Sequence, residues 1–159
     1  MKKFVALLIA VLIIFSANIT ALAVVKAPTE NTTTETIYFD DGSYIETILT
    51  IEESNISTFA TKTVSGSKKI VFKNSDDVTQ WSATLKGTYT YTGSSSTCTS
   101  SSIVYSISND NWRITSATAS KSGNKAIGNV TAKYYFLFVP TKTIEETITM
   151  TCSATGSLS

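Results

Sequence analysis

From Thr36 onward the chain alternates apolar and polar residues with a period of two, the pattern of strands with one buried and one wet face. The clearest stretch is Val78 to Tyr91. Trp81, Ala83, Leu85, Gly87, Tyr89 and Tyr91 fall on one face, and Ser82, Thr84, Lys86, Thr88 and Thr90 on the other. Gly87 inside this run marks a bulge or a close neighbour. Before it, Ile37–Phe39 and Tyr44–Ile51 flank Asp40-Asp41-Gly42-Ser43 as a hairpin. Phe59–Val64 and Lys69–Lys73 read as two further strands joined at Ser65-Gly66-Ser67. After it, Thr97–Ile107 carries Ile103, Tyr105 and Ile107 on one face, and a strand opening at Trp112 and Ile114 continues through Ala117 and Ala119 to a turn at Lys121–Asn124.

The last two strands read as a hairpin. Val130, Ala132, Tyr134, Phe136 and Phe138 alternate with Thr131, Lys133, Tyr135, Leu137 and Val139, so both faces are partly apolar, as in a central strand. Pro140-Thr141-Lys142 is the expected loop, and Ile144, Ile148, Met150 and Cys152 share the core face of the final strand. No segment has a helical period. Eight or nine strands with turn signals about every ten residues predict an all-β fold: a single immunoglobulin-like β-sandwich of antiparallel strands over residues 36–159, with a closed barrel as the alternative.

The chain opens differently. Lys2 and Lys3 precede an unbroken apolar run from Phe4 to Phe15, followed by a polar stretch and Ala21-Leu22-Ala23. This is the pattern of a signal peptide over residues 1–23, cleaved after Ala23. A membrane anchor would need about 20 apolar residues, which this run reaches only by including Ser16, Asn18 and Thr20. Residues 24–35 lack periodicity and read as a flexible mature N-terminus. The expectation is a secreted, extracellular bacterial protein with no membrane span in its mature form.

Composition narrows the function. Removing the signal leaves about 136 of the 159 residues and moves the net charge from +1 to about −1. Without a basic surplus, nucleic acid and acidic membrane are not favoured as partners by charge. Only 16% of residues are charged, and Ser and Thr make up roughly a third of the mature chain. Solubility therefore rests on hydroxyl groups. The chain has no histidine, which excludes Ser-His-Asp and Cys-His catalysis and His-based zinc sites.

The remaining chemistry is sparse. Cys98 and Cys152 sit in similar polar settings, and in an exported chain two cysteines are expected to form one disulfide. That bond would close a loop of about 55 residues and contribute roughly 4 kcal/mol by the chain-entropy model. Four acidic doublets, Asp40-Asp41, Glu52-Glu53, Asp76-Asp77 and Glu145-Glu146, could supply the carboxylate pair of a glycoside hydrolase. Neighbouring strand residues point to opposite faces, however, so a doublet alone does not bring two carboxylates together. The oxygen-rich segments Asp40–Ser43, Asn74–Asp77 and Asn109–Asn111 could hold calcium but match no calcium-loop template, and Asx residues favour turns in any case. Trp112 and Tyr135 are the candidate stacking surfaces for a sugar, whereas Trp81, on the apolar face of its strand, reads as core.

From Phe59 to the end the chain resembles a group of small secreted bacterial β-rich proteins of unknown function. The pieces that carry the resemblance are Ala60 to Lys68, Gly87-Thr88-Tyr89-Thr90-Tyr91, Cys98, Ala119 to Ala126, and Thr151-Cys152-Ser153. The resemblance implies a disulfide-linked β-domain behind a signal peptide and carries over no catalytic, metal or cofactor residue. The expected function is therefore non-enzymatic, without a cofactor: a binding or interaction module at or beyond the cell surface, whose partner is a cell-wall glycan or a surface protein. A carbohydrate-binding module is the alternative, and a carboxylate-based glycoside hydrolase is the less favoured one.

Overall fold

The computed structural model describes residues 31–52 and 61–159. The expected signal peptide and its cleavage after Ala23 lie outside these residues. The described chain is all-β, with eight antiparallel strands: β1 (Asn31–Tyr38), β2 (Tyr44–Glu52), β3 (Lys62–Lys73), β4 (Thr79–Tyr91), β5 (Ser96–Ile107), β6 (Trp112–Ser122), β7 (Lys125–Phe136) and β8 (Val139–Thr151). They form two sheets, β1-β2-β3-β4-β5 and β6-β7-β8, each in sequential order. An immunoglobulin-like arrangement would need Greek-key connections; here each strand pairs with its neighbour in sequence, and the chain changes sheet once, between β5 and β6. Strand count and turn spacing predict a sandwich of two sheets but not the order of strands within them.

The core lies between the inward face of β4 and the smaller sheet. Trp81, Ala83, Leu85 and Tyr89 are fully buried, facing Ala126, Val130, Ala132, Ile148 and Met150. The period-two pattern of Val78–Tyr91 therefore selects the correct face. Gly87 is required by a close approach: a Cβ there would lie 2.7 Å from the Tyr89 hydroxyl and 2.8 Å from the Met150 methyl. The gap lets the Tyr89 hydroxyl donate a hydrogen bond to the Met150 carbonyl at 2.8 Å, which ties the two sheets together. Gly66 pairs with Gly87 across β3 and β4, and a Cβ there would meet Leu158 at 2.6 Å and the Thr50 carbonyl at 2.9 Å.

Four segments differ from expectation. Residues 31–35, expected to be flexible, form the first part of β1 and pair with β2 from Thr47 to Ile51, because a threonine-rich stretch can pair along a sheet edge without any apolar period. The two strands expected on either side of Ser65-Gly66-Ser67 are one strand, β3; Gly66 is there for packing, not for a turn. Of the apolar face expected on β5, Ile103 packs on the core, but Tyr105 and Ile107 are 53% and 39% exposed.

The fourth difference is the β7–β8 turn. It falls at Leu137-Phe138, between the paired Phe136 and Val139, and not at Pro140-Thr141-Lys142. Pro140 lies in β8 beside a register shift, where its missing N–H costs no ladder bond. Leu137 and Phe138 both have positive φ, 48° and 70°. Two-residue hairpins of this kind normally use Asn-Gly, and bulky side chains there cost roughly 1–2 kcal/mol each. The run from Tyr134 to Val139 therefore hides its own turn from pattern reading.

Because every strand reverses the one before it, the turns collect at two ends. The β1–β2, β3–β4, β5–β6 and β7–β8 turns share one end, above which Phe72, Trp81, Trp112 and Tyr134 pack with ring centroids 5.1–6.3 Å apart. This is the aromatic end. Both cysteines lie toward the other. Tyr89→Phe is expected to lower unfolding stability by about 1–3 kcal/mol, because the Met150 carbonyl is left buried without its donor; urea denaturation with an unchanged m-value checks this.

Candidate functional site

The mismatch of five strands over three opens one side of the sandwich. The backbones of the two sheets approach through β3, β4 and β5 against the smaller sheet, and β1 and β2 extend past this zone. Beneath the overhang runs a cleft of about 510 Å³. Thr33, Thr47 and Leu49 line one wall, and Thr149, Thr151 and Leu158 the other, with Lys68 between them. It continues past Glu35, Thr47, Lys68 and Thr149 into a second hollow of about 220 Å³ bounded by Ile37, Ile45 and Glu146.

One wall carries the outer edge of β8. In an antiparallel strand the N–H and C=O of alternate residues point to the same side. Thr151 exchanges both of its main-chain bonds with Ser159, at 2.9 and 3.0 Å, on the side away from β7. The Thr149 carbonyl accepts from the Lys68 ammonium at 3.1 Å. The alternation therefore aims the main-chain groups of Glu145 and Thr147 at the same open side. Lys68, on the inner face of β3, is an inward-pointing charge of the kind that guards sheet edges against uncontrolled pairing. It covers Thr149, the C-terminal residues cover Thr151, and among the described residues the edge stays open below them.

Glu146 shares the core face of β8 and is half-buried in the second hollow. Burial alone raises the pKa of its carboxyl. Glu35 lines the same hollow.

A separate polar pocket of about 320 Å³ opens at the aromatic end, with Asp41, Ser43, Gln80, Asn109 and Lys142 around the edges of Trp112 and Tyr134. Lys142 reaches Asp41 at 2.5 Å and lies 5.2 Å from the centre of the Phe72 ring. That ammonium and the Ser43 hydroxyl hold the Asp41 carboxyl well below the usual carboxylate range. Asn109 donates to the buried Gln80 side chain at 2.7 Å. These groups largely satisfy one another.

The expected sugar contacts do not come together. Trp112 is 4% exposed, its ring packed between Phe72 and Tyr134. Tyr135 follows Trp112's cross-strand partner Tyr134 and so points to the other face of the sheet, half-buried under the Arg113 guanidinium at 4.7 Å. The oxygen-rich segments spend their side chains on their own turns: Asp41 accepts from Ser43 N–H at 3.1 Å, Asn74 from Val78 N–H at 2.8 Å, and Asn109 from Asn111 N–H at 3.0 Å. Among the described residues no group of three or more acidic or cysteine side chains is placed to hold a metal ion.

The expected Cys98–Cys152 disulfide is not formed: both residues are buried free thiols. Each sulfur donates to a nearby carbonyl, Cys98 to Ser100 and Cys152 to Ser153, both at 3.3 Å. Their main chains clamp the β6–β7 turn, with Cys98 N–H on the Gly123 carbonyl at 2.8 Å and Cys152 N–H on the Asn124 carbonyl at 3.0 Å. The Asn124 and Ser96 side chains both donate to the Cys152 carbonyl at 2.7 Å. The link between β5 and the end of β8 thus runs through hydrogen bonds, directly from Ser96 and by way of the β6–β7 turn. Burial raises both thiol pKa values.

Two outcomes follow from these environments. Alkylation followed by intact mass should show no modified thiol in the native protein and two in denaturant; a bridged chain would show none in either. For Glu146, a folded-state pKa above the unfolded one means the folded state holds its proton longer. Stability should therefore fall as pH rises from the ordinary glutamate range through the raised folded value. Glu146→Gln should remove this fall, giving Tm values that match the parent at low pH and exceed it at neutral pH. In comparisons with known proteins, no family model, no curated protein and no solved structure matches this chain.

Proposed function

We propose that this chain is a secreted, non-enzymatic interaction module, and that its partner presents an extended polypeptide segment to the open side of the sandwich. The observation that supports this reading is the cleft beneath the β1–β2 overhang. It combines an apolar floor at Leu49 and Leu158 with the outer edge of β8. An added strand would draw affinity from main-chain bonds to Glu145 and Thr147 and selectivity from the side-chain hollows on either side of Lys68. Lys68 and Glu35 give the cleft one charge of each sign, which would set the register of a segment bearing complementary charges. A surface protein, one of the partners expected from the sequence, fits this chemistry.

The carbohydrate-binding alternative draws on the polar pocket, but Trp112 offers little ring surface for stacking there. The glycoside hydrolase reading, the less favoured one, would rest on Glu35 and Glu146, which line one hollow beneath the overhang.

Thr147→Pro tests the strand-addition reading. The N–H it removes points to the open edge, so pairing with β7 is kept. Peptides selected against the parent are expected to slow amide exchange in β8 between residues 143 and 149, and Thr147→Pro should abolish that binding with only a small change in Tm. Protection confined to the aromatic end, or binding untouched by the substitution, would overturn the reading.

A further inference from the structure

Most of the exposed large apolar side chains lie at one end, with Ile37 on β1 and Val104 and Tyr105 on β5 exposed farther along their strands. Tyr38, Val78 and Ile107 lie beside the turns of the aromatic end, and Phe136 to Val139 forms the β7–β8 tip. The opposite end carries Ser94, Ser95, Ser122, Ser153 and Ser157 at its turns. The tip is the extreme of this polarity: Phe136, Leu137, Phe138 and Val139 are 61%, 76%, 89% and 60% exposed.

The tip also projects. The first rung of β6 on β7 is Trp112 with Tyr134, whereas the β7–β8 hairpin continues through Tyr135 with Pro140 and Phe136 with Val139. Tyr135 is held by its N–H bond to the Asn111 carbonyl at 2.8 Å, and beyond it no described strand pairs with the hairpin on its β6 side. Two residues of strand and a turn extend about 7 Å. A convex apolar finger of that kind cannot be covered by a flat protein face, and its open edge and the Leu137 and Phe138 peptide groups restrict it to the headgroup boundary rather than the hydrocarbon core.

The surroundings of the tip match a lipid headgroup layer. Arg113 and Lys133 pair across β6 and β7 on the outer face just behind it, with Tyr135 beside them. The nearest acidic residue on that face of the sheet is Glu145, opposite Thr131 and farther from the tip. The other turns of this end carry Asp40, Asp76 and Asp110, with Asp41 bound to Lys142 and Asp77 to Lys73. These acids would stay in water, leaving the finger alone to enter. Cations and tyrosines behind an apolar tip are the usual order at a bilayer surface, and shallow insertion reaches about 5–10 Å.

We infer that the Phe136–Val139 hairpin tip inserts into the surface of a phospholipid bilayer and docks the domain there with its aromatic end down. The drive is burial of apolar side chains, in keeping with the chain's near-zero net charge; Arg113 and Lys133 add attraction to anionic headgroups. The strained Leu137-Phe138 turn fits this role. Asn-Gly would suit the backbone better, so the bulky pair is not there for the sake of folding.

The test is co-sedimentation of the whole released chain with vesicles of phosphatidylcholine and phosphatidylglycerol. The parent should pellet with the vesicles and depend only weakly on salt. The double variant Leu137→Asn, Phe138→Gly should lose at least about tenfold in partitioning, with Tm equal to or above the parent's. Phe138→Trp, which keeps the tip apolar, should shift its emission to the blue and be quenched by brominated lipid. A parent that stays in the supernatant, a double variant that pellets as the parent does, or a tryptophan that emits as in water would each overturn the inference. So would a double variant that loses only self-association.

Discussion

The fold depends on the approach of the two sheets where Gly87 leaves room for Tyr89. Without a side chain at 87, the Tyr89 ring is fully buried and its hydroxyl reaches the Met150 carbonyl. Leu85 and Trp81, on the same face of β4, then meet the smaller sheet fully buried. A buried hydroxyl without a partner would oppose folding, and one with a partner fixes the sheets in a single register. The placement of β8, and with it the open cleft, follows from this contact, because Met150 belongs to β8 and Gly87 to the strand facing it.

The two surface features arise from the same architecture. Five strands over three must leave an overhang, and the overhang makes the cleft. An antiparallel meander collects its turns at two ends, and the aromatic end holds most of the exposed large apolar side chains found among the described residues. The polar pocket at that end is lined by groups bonded mainly to one another, so it stabilises three adjoining turns more than it offers free donors. Cleft and tip lie on different parts of the molecule, and a partner on one leaves the other accessible.

Much of the body could be read from the residues. The face of β4, the core position of Cys152, the buried Trp81 and the hairpin through Asp40–Ser43 all follow from period-two patterning and turn chemistry. The misread segments share a cause: pattern reading records polarity and turn propensity, not partners. Gly66 looks like a turn residue until Leu158 and Thr50 are seen against it. The Leu137-Phe138 turn is invisible because its residues are the least suited to it. Trp112 looks available behind a polar turn, yet Phe72 and Tyr134 enclose it.

Taken alone, the order of residues determined an all-strand body, the inward face of each well-patterned strand, and the absence of any imidazole chemistry, because alternation and composition are local properties of the chain. Tertiary structure decided the rest: a meander and not a Greek key, the overhang and its cleft, two free thiols whose backbones clamp one turn, and the gathering of most exposed apolar side chains toward one end. Each of these depends on which distant segments lie side by side, and that is set by packing between sheets that no local window contains.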